Sequence, residues 1–492
     1  MRLIHRRLLR AVVLIGLTAS LAILPGGSIA PSPGTLRFVP LIHVGPHVPS
    51  SVITSHGGVL PDLKIHFYFP SDITAAYGVD AVHAAGTTGA GQTIVIVDSY
   101  GSPTALQDLQ QFSSDFGLPA PNLQIYYPCG TPTFSKAMHG VQAGWAFETS
   151  LDLQWAHAIA PDANLVLVAT NPAETQGVQG LDCMFKGESW AIQNFPGAVL
   201  SQSFATTEQS FHSAAATQVA GFEKVYQKAV ANRVTVLGAS GDSGTANPDK
   251  QGRLFPEPTV NWPSSDPLVT SAGGTWLQYG WKWDPTISAN DFYTCLNTVA
   301  DSTTCFGQYL NYDPSVATTE AVWKEDWLPA ATGGGRSVLF STPSFQSGIS
   351  SSLLQGSRGL PDLSWNAAVD GGVLTFIGFL GGANNGYYII GGTSAASPQL
   401  AGVVALANQV RQQNGKQSIG YLEPVLYQLP ASAFNDTVPL TFGTGAGVTT
   451  LDSNEQYGTG IPGMATTSGW DLTTGFGSPK VPLFVAGLAA AP

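Results

Sequence analysis

One serine lies where it could act as a nucleophile, in the stretch GGTSAASPQLAGVVAL, residues 391–406. A β-type apolar run, residues 387–390, leads into two glycines, and a helical apolar pattern follows Ser394. Several hydrolases present a nucleophilic serine at such a strand-to-helix turn, with its hydroxyl at the helix N-terminus. A serine hydroxyl is inert alone, so the chain must also supply a group that accepts its proton.

Histidine is the usual proton acceptor for a catalytic serine, and the chain contains nine histidines. None of them lies in a subtilisin-like Gly-His-Gly-Thr motif. His157 falls in a helical segment, WAHAIAPDA, where a plain core or surface role explains it equally well. The sequence therefore does not predict a catalytic histidine.

Two carboxylates four residues apart offer another base, because Glu148 and Asp152 both lie in GWAFETSLDLQWAHAIAPDANLVLV, residues 144–168. A helix places them on one face, one turn apart. A solvated helix face would explain them, but the apolar neighbours predict a largely buried helix. Two partly buried acids can share a proton, which splits their titration and raises one pKa. Such a pair can hold a proton acceptor in acid, where imidazole is protonated.

A third acid, Asp242, follows an apolar strand run in the stretch VTVLGASGDSGTANP, residues 234–248. An aspartate in a Gly- and Ser-rich turn is common and needs no function. A protonated carboxylic acid can also donate a hydrogen bond to the oxyanion that develops on an attacked carbonyl. An ionised carboxylate would repel that oxyanion, so this role again requires acid.

The composition and the N-terminus indicate a secreted protein. Charged residues make up 11% of the chain, against roughly 25% in average soluble proteins. Four arginines, an apolar run over 11–24 and small residues ending at Ala30 predict a signal peptide over 1–30. An uncleaved membrane anchor is the alternative. Without residues 1–30, 16 basic residues face 32 acidic ones, a formal net charge of −16, which argues against nucleic acid as a partner.

The four cysteines allow three disulfide pairings in a secreted protein. Cys295 and Cys305 would close a short loop, so this pair is favoured, which leaves Cys129 with Cys183. No cysteine spacing is typical of a zinc site.

Apolar strand runs alternate with helical segments from about residue 66 onward. The strand runs are 93–98, 165–169, 198–204 and 235–240, and the helical segments are 144–159, 178–194 and 214–232. This alternation predicts an α/β fold with a mostly parallel central sheet, helices on both faces, and a site at the carboxyl ends of the strands.

Three regions are expected along the chain: the signal peptide, a leader or short propeptide over 31–65, and one catalytic domain over 66–492. Within that domain, the Trp-, Pro- and Gly-rich region 245–345 is expected to form surface loops and edge strands.

The E-x-x-x-D helix, the S-G-D-S-G turn and the G-T-S-x-x-S-P helix start occur in an order that resembles the sedolisins, the serine-carboxyl peptidases. The resemblance covers nearly the whole chain from about 66 onward and implies a subtilisin-like fold. It also implies a secreted, acid-active endopeptidase that acts on polypeptide substrates. We expect a monomer with no stable membrane association once the signal is removed.

The resemblance assigns roles to the residues identified above. Ser394 resembles the nucleophile, and Glu148 the general base that accepts its proton and later protonates the leaving amine. Asp152 resembles the residue that orients and tunes Glu148. Asp242 resembles the protonated oxyanion donor, assisted by the backbone N–H of Ser394. Asp98 ends a strand where the family often carries another acid linked to the catalytic pair.

Three further stretches bear on the resemblance. FNDT, residues 434–437, and TSGWDLTTGFGSP, residues 467–479, resemble the calcium loop of the family. Calcium requires six or more oxygens, and the implied ligands are the carboxylates of Asp436 and Asp471 with the carbonyls of Thr437, Thr467 and Gly469. Gly-rich loops that need no ion are the alternative.

The Ser-Trp-Gly substrate strand of the family appears here as Ser-Phe-Ala, residues 203–205, a change that affects subsite preference.

Three other functions remain open from the residues alone. A secreted binding protein on a decayed protease scaffold would normally have lost a catalytic residue, and all four are present. A neutral subtilisin-type protease would need a positioned histidine. An aspartic protease would use two aspartates and a water, and its activity would not depend on Ser394.

Overall fold

The computed structural model describes residues 39–48, 67–134, 140–170, 183–249, 251–283, 310–312, 318–325, 328–442 and 449–492. The α-helices within these residues are α1 Pro70–Tyr77, α2 Val79–Ala84, α3 Ala105–Asp115, α4 Val141–Ile159, α5 Cys183–Asn194, α6 Ala215–Ala231, α7 Ser351–Leu354, α8 Thr393–Gln413, α9 Glu423–Leu426 and α10 Val481–Ala490. Short 3-10 helices span Glu208–Ala214, Ser344–Gln346, Gly382–Asn384 and Ala431–Ala433.

The strands within the same residues, in chain order, are β1 Val39–Pro40, β2 His43–Val48, β3 Phe67–Tyr68, β4 Thr93–Ser99, β5 Asn122–Tyr126, β6 Asn164–Thr170, β7 Val199–Gln202, β8 Phe204–Thr207, β9 Thr235–Ala239, β10 Asn261–Trp262, β11 Thr270–Gln278, β12 Trp281–Trp283, β13 Leu310–Tyr312, β14 Thr319–Val322, β15 Gly335–Ser341, β16 Ser357–Leu360, β17 Leu363–Asn366, β18 Gly372–Ile377, β19 Gly386–Gly391, β20 Phe434–Asn435, β21 Leu440–Phe442, β22 Thr449–Leu451 and β23 Ser478–Pro479.

The central sheet has the strand order β14-β11-β9-β7-β4-β6-β5, with β17 also paired to β11. All its pairs are parallel except β11 with β14. Both faces are covered, as β4 illustrates: Ile94 and Ile96 belong to the core cluster that includes α4 and α8, whereas Val95 and Val97 belong to the cluster that includes α5 and α6. Alternate residues of a strand point to opposite faces, so the predicted two-faced α/β architecture is confirmed.

One part of the expectation for 245–345 is wrong. Strand β11 lies inside the central sheet, between β9 and β14, rather than at an edge. Its sequence contains Ala272, Gly273 and Gly274 in place of an apolar run. A Cβ on Gly273 would lie 2.5 Å from both Pro361 and Ser364. Close packing therefore requires small residues here. As a result, β11 lacks the run of large apolar residues from which a buried strand is usually predicted.

Part of the segment assigned to the leader, residues 39–48, is paired with the domain. Strand β1 pairs antiparallel with β8, and β2 pairs antiparallel with β19. Strand β19 also pairs with β18, and β18 with β3. The Pro- and Gly-rich sequence shows no strand periodicity, because these short strands are specified by their partners rather than by local pattern.

The disulfide prediction is confirmed for one pair, since Cys129 and Cys183 are bonded. The predicted Cys295–Cys305 pair lies outside the described residues. Across the part of the chain that the structure describes, no helix is both long enough and apolar enough to cross a membrane.

Several carboxyl groups are buried in the interior. Burial raises the pKa of Asp98, Asp242, Asp266 and Glu325 to about 7, and that of Glu423 to about 8. In an unfolded chain such groups ionise near pH ~4. Between these pH values the folded protein binds more protons than the unfolded chain, so its stability falls as pH rises.

The melting temperature is therefore expected to fall by ~10 °C or more between about pH 4 and about pH 8, since each such group contributes about 1.4 kcal/mol per pH unit. Differential scanning fluorimetry in a Ser394→Ala background, which lacks the predicted nucleophile, measures this. Asp266→Asn should make the decline shallower, whereas Asp80→Asn, at an exposed carboxyl, should not. A melting temperature that rises toward neutral pH would contradict this account.

Candidate active site

The acids and the serine singled out in the sequence lie at the carboxyl edge of the central sheet. Asp98 is near the end of β4, Ser203 follows β7, and Asp242 lies three residues beyond β9. Helix α4 carries Glu148 along one face of the sheet, and α8 brings Ser394 to the same edge with its first turn. The acids and the serine therefore lie where the sequence predicts the site, at the carboxyl ends of the parallel strands.

Helices α4 and α8 are in close contact. A Cβ on Gly402 of α8 would lie 2.8 Å from the Ile159 side chain of α4. The glycine therefore permits a short interhelical distance, which fixes the first turn of α8 relative to the acids of α4. Helix α4 is buried along almost its whole length, as its apolar sequence predicts.

Glu148 and Asp152 are both fully buried. The pKa of Glu148 is raised well above its ordinary value, first by burial and then by the nearby charges of Asp152 and Asp98, while the nearby Ser394 hydroxyl opposes the rise. Burial, followed by the charge of Asp98, also raises the pKa of Asp152. The Ser203 hydroxyl donates to Asp152 Oδ1 at 3.0 Å. Such acids share protons, and their titration belongs to the group rather than to one residue.

Asp98 extends this acid group from the sheet. The Thr149 hydroxyl, next to Glu148 on α4, donates to Asp98 Oδ2 at 2.8 Å. Burial raises the pKa of Asp98 to about 7, and the hydrogen bond from Thr149 partly opposes that rise. Asp98, Glu148 and Asp152 thus form one buried acid cluster, here called the acid cluster.

Asp242 is held by the residue that precedes the serine. Its Oδ1 accepts from the Thr393 backbone N–H at 2.7 Å and from the Thr393 hydroxyl at 2.8 Å. The other oxygen, Oδ2, has no hydrogen-bond partner among the described residues. Burial raises the pKa of Asp242 to about 7. At acid pH this carboxyl is therefore protonated, and Oδ2 is the oxygen free to carry the proton and donate it.

Ser394 is fully buried in the first turn of α8, after Gly392 at φ 124°. Its hydroxyl completes no hydrogen bond with any described residue, and neither does either oxygen of Glu148. Its backbone N–H donates to the Leu41 carbonyl at 3.3 Å. A Cβ on Gly392 would lie 2.5 Å from that carbonyl oxygen and 2.7 Å from Asp242 Oδ2. Both groups therefore pack directly against the glycine backbone.

Residues 39–43 run through this site. The Leu41 backbone N–H donates to the Ser203 carbonyl at 3.2 Å. Two residues later, His43 Nε2 lies 3.5 Å from Asp242 Oδ2. Burial lowers the pKa of His43 to about 4, so above that pH its ring is neutral.

The histidines in the described part of the chain do not supply a partner for Ser394. His157 is a core residue whose Nε2 lies 3.0 Å from the Pro119 carbonyl oxygen. His43 reaches the site, but it contacts Asp242 rather than the serine hydroxyl.

Four residues at the site were given no catalytic role from the sequence, although Ser203 was placed in the substrate strand: His43, Thr149, Ser203 and Thr393. Thr149 and Thr393 each adjoin a residue that was singled out, so adjacency was the available signal for them. Ser203 lies at the end of a predicted strand run, the position where site residues were expected. His43 gave no local signal, since it reaches the site only through the pairing of β1 and β2.

The five implied calcium ligands lie in two segments, one directly after β20 and one in the loop before β23, and hydrogen bonds join the two segments. Asp436 Oδ2 accepts from the Gly469 N–H at 2.8 Å, and Asp471 Oδ2 accepts from the Thr467 N–H at 2.8 Å. Asp471 Oδ1 accepts from the backbone N–H groups of Thr473 and Thr474 at 2.9 and 2.8 Å. The described residues contain no group of three or more His, Cys, Asp or Glu side chains placed to bind a metal. The donor set, two carboxylates with backbone carbonyls, has the all-oxygen chemistry that calcium prefers.

Comparisons with known proteins agree with the fold. No protein-family model matches the chain. The chain is 27% identical to kumamolisin of Bacillus sp. (strain MN-32) over 417 residues, which is 84% of this chain and 62% of that protein. It is 28% identical to sedolisin of Pseudomonas sp. (strain 101) over 421 residues, 83% and 59% of the two chains. It is 29% identical to tripeptidyl-peptidase 1 of Homo sapiens over 264 residues, 52% and 37% of the two chains.

A solved structure extends this similarity to three dimensions. It is Pseudomonas sedolisin, a serine-carboxyl proteinase complexed with two molecules of pseudo-iodotyrostatin. It matches with a TM-score of 0.62 and 26% identity, over 85% of this chain and 97% of that one. The fold is therefore that of the subtilisin-like serine peptidases. Within this class, the chain is similar in sequence and in structure to members of the sedolisin family. It spans about three-fifths of the length of the first two curated relatives.

Proposed function

We propose that the protein is a secreted, acid-active serine-carboxyl endopeptidase with Ser394 as nucleophile, Glu148 as general base and Asp242 as oxyanion donor. One observation carries the proposal. A buried carboxyl, Glu148, lies beside a serine at a helix N-terminus, and both are next to a second carboxyl that is protonated in acid. Ionised Glu148 can accept a proton, and protonated Asp242 can donate a hydrogen bond.

The first step is the attack of Ser394 Oγ on a peptide carbonyl carbon while Glu148 removes the hydroxyl proton. The carbonyl oxygen becomes an oxyanion, which accepts from the Ser394 backbone N–H and from the proton on Asp242 Oδ2. Removal of one such donor typically costs about 10²- to 10³-fold in kcat. Thr393 keeps Oδ1 of Asp242 occupied, so the proton lies on the oxygen that faces the substrate.

The second step breaks the carbon–nitrogen bond, and Glu148 returns its proton to the leaving amine. A water molecule, deprotonated by the same carboxylate, then hydrolyses the serine ester. Asp152 acts through Glu148: it is held by Ser203 and couples electrostatically to the base. Asp98 contributes in the same way through Thr149.

The acid cluster accounts for activity in acid. Part of the rise in the pKa of Glu148 comes from the charges of Asp152 and Asp98, so the cluster releases its first proton at lower pH than its last. Activity requires that first ionisation together with a protonated Asp242. It should therefore rise in acid and be lost as pH passes about 7, the pKa of Asp242.

Polypeptides are the proposed substrates, and cleavage within a chain is the proposed mode. An internal segment, residues 39–43, already runs through the site, so the cleft admits chain on both sides of the nucleophile. The signal-like N-terminus and the disulfide support an extracellular location. The acidic net charge supports the absence of nucleic acid partners. We also propose that the protein is a monomer and that it does not associate stably with a membrane.

Ser394→Ala is expected to abolish hydrolysis of a denatured protein at about pH 4, with a loss of about 10⁶-fold in kcat as for other serine peptidases. The matched control is Ser397→Ala in the same helix, where the hydroxyl bonds Ser201 instead, at 2.8 Å. This control should retain activity. Fragment release measured by gel and mass spectrometry tests both variants. Acid activity that survives Ser394→Ala would indicate an aspartic mechanism and contradict the proposal.

Calcium is proposed to bind the loop that holds Asp436 and Asp471, with the carbonyls of Thr437, Thr467 and Gly469 as further ligands. Its role there would be to stabilise the C-terminal loops, since no described contact joins this loop to Ser394. At 100 times its Kd a bound ion adds about 2.7 kcal/mol to the stability.

Calcium addition is accordingly expected to raise the melting temperature by a few degrees, and chelation to reverse the rise. Asp436→Asn should abolish the calcium-dependent shift, whereas Asp452→Asn, at another exposed carboxyl, should keep it. Scanning fluorimetry with and without calcium measures the effect. Identical shifts in the wild type and Asp436→Asn would contradict calcium binding at this loop.

A further inference from the structure

Residues 39–42 lie in the cleft in the way that a bound substrate would. We propose that Leu41–Ile42 is the first peptide bond the enzyme cleaves, and that the pocket around Leu41 makes the enzyme select an aliphatic residue before the cleaved bond. This inference rests on the proposed function, because it uses the same nucleophile and donors.

The backbone before the bond is an added strand. Val39 pairs with Ala205 and Pro40 with Phe204, in antiparallel register. The Leu41 N–H then donates to the Ser203 carbonyl at 3.2 Å. Strand addition of this kind fixes the register of a peptide through its main chain and is independent of its sequence. It places one residue, Leu41, at the nucleophile.

The carbonyl at the end of this strand occupies the position of the attacked group. The Ser394 N–H donates to the Leu41 oxygen at 3.3 Å. The same oxygen and Asp242 Oδ2 both pack against Gly392, where any side chain would collide with them. The two proposed oxyanion donors thus both lie near this one carbonyl oxygen.

The side chain of Leu41 fills an apolar pocket. It is 8% exposed and packs in a cluster with Ala205 and Ala239, which are 2% and 0% exposed. Ala205 lies in the Ser-Phe-Ala substrate strand, at the end where the family has glycine. The methyl side chains of Ala205 and Ala239 give this pocket an apolar lining. A leucine side chain that enters it leaves water and gains the free energy of transfer to an apolar environment. Complete burial of a leucine rather than an alanine is worth about 10- to 100-fold in binding.

The chain after the bond is held separately. Residues His43–Val48 form β2 and pair with β19, the strand that leads into Ser394. In the cleavage, the Ser394 Oγ–carbon bond forms, the Leu41–Ile42 carbon–nitrogen bond breaks, and the serine proton passes through Glu148 to the Ile42 amine. Water then hydrolyses the ester and leaves a carboxyl group on Leu41. Ile42 becomes the N-terminus of a chain still anchored through β2.

The first test follows this bond in the full-length protein. The protein is purified near neutral pH and shifted to about pH 4, and its N-terminus and intact mass are determined. A product that begins at Ile42 is expected in the wild type, and none in Ser394→Ala. Leu41→Ala should slow the cut by about 10-fold or more. A processed N-terminus elsewhere, or an unchanged rate with Leu41→Ala, would overturn the proposal.

The second test measures the pocket with peptide substrates. Peptide RFVPLIHVGP, which copies residues 37–46, should be cut after leucine, about 10- to 100-fold faster in kcat/KM than RFVPAIHVGP. Ala239→Val, which narrows the pocket, should reduce that ratio by about 10-fold, whereas Ala169→Val, at the end of β6, should not change it. The comparison of the two peptides with the wild type alone keeps the test valid if a variant does not fold.

Hydrolysis of a denatured unrelated protein is followed in parallel and separates the two claims. Ser394-dependent hydrolysis without preference for leucine would overturn the pocket and leave the proposed function intact. Absence of all hydrolysis would overturn both.

Discussion

Glu148→Gln is expected to lower kcat/KM by about 10³- to 10⁴-fold at the pH of maximal activity, because glutamine keeps the shape of the side chain but cannot accept the serine proton. The loss should appear mainly in kcat, since Glu148 is buried behind the nucleophile and no described residue forms a hydrogen bond with its carboxyl. Steady-state kinetics with a peptide substrate measures it.

A matched control is available for this change. Glu208 is also a buried glutamate whose pKa is raised by burial, and it accepts from the Ser337 hydroxyl and the Val338 N–H, both at 2.7 Å. Glu208→Gln should leave kcat within a few-fold of the wild type. A loss below about tenfold for Glu148→Gln, or an equal loss for both variants, would show that Glu148 is not the base.

Asp242→Asn and Asp242→Ala are expected to differ sharply. The asparagine oxygen can still accept from Thr393, and its NH2 group can donate to the oxyanion without titrating. Most activity in acid should therefore remain, and the loss of activity near pH 7 should move to higher pH. Alanine removes the donor and should lower kcat by about 10²- to 10³-fold. Full pH profiles of the two variants measure these effects.

Asp266→Asn is the control for this pair, because Asp266 is another buried carboxyl with a pKa raised to about 7. This change should leave the activity profile unaltered. Equal activity of Asp242→Asn and Asp242→Ala would contradict a role for Asp242 as a hydrogen-bond donor.

The elements of the core were predictable because their signals are local. The run TIVIVD predicts a buried parallel strand, and β4 covers it. The helical segment 144–159 corresponds to α4, which extends it by three residues. The acids on α4 were recognisable because apolar residues surround them, and the carboxyl-end rule of parallel sheets explains why Asp98 and Asp242 meet them.

Other parts of the site depend on contacts between distant residues. His43 reaches Asp242 across about 200 positions of the chain, and only the pairing of β1 with β8 and of β2 with β19 brings it there. Strand β11 was missed for a related reason, since its glycines satisfy close packing with distant residues rather than a local pattern. The pKa of a buried acid also depends on all the groups that surround it. The helical spacing of Glu148 and Asp152 does not reveal those groups.

The most direct test of the account is the pH dependence of kcat/KM for the wild type between about pH 2 and about pH 8. A carboxylate base with a protonated Asp242 predicts a maximum in acid and a decline as pH passes about 7, the pKa of that aspartate. An imidazole base, with an ordinary pKa of about 6.5, would instead give activity that rises through this range to a plateau at neutral pH. That second profile would contradict the proposal that a carboxylate takes the serine proton.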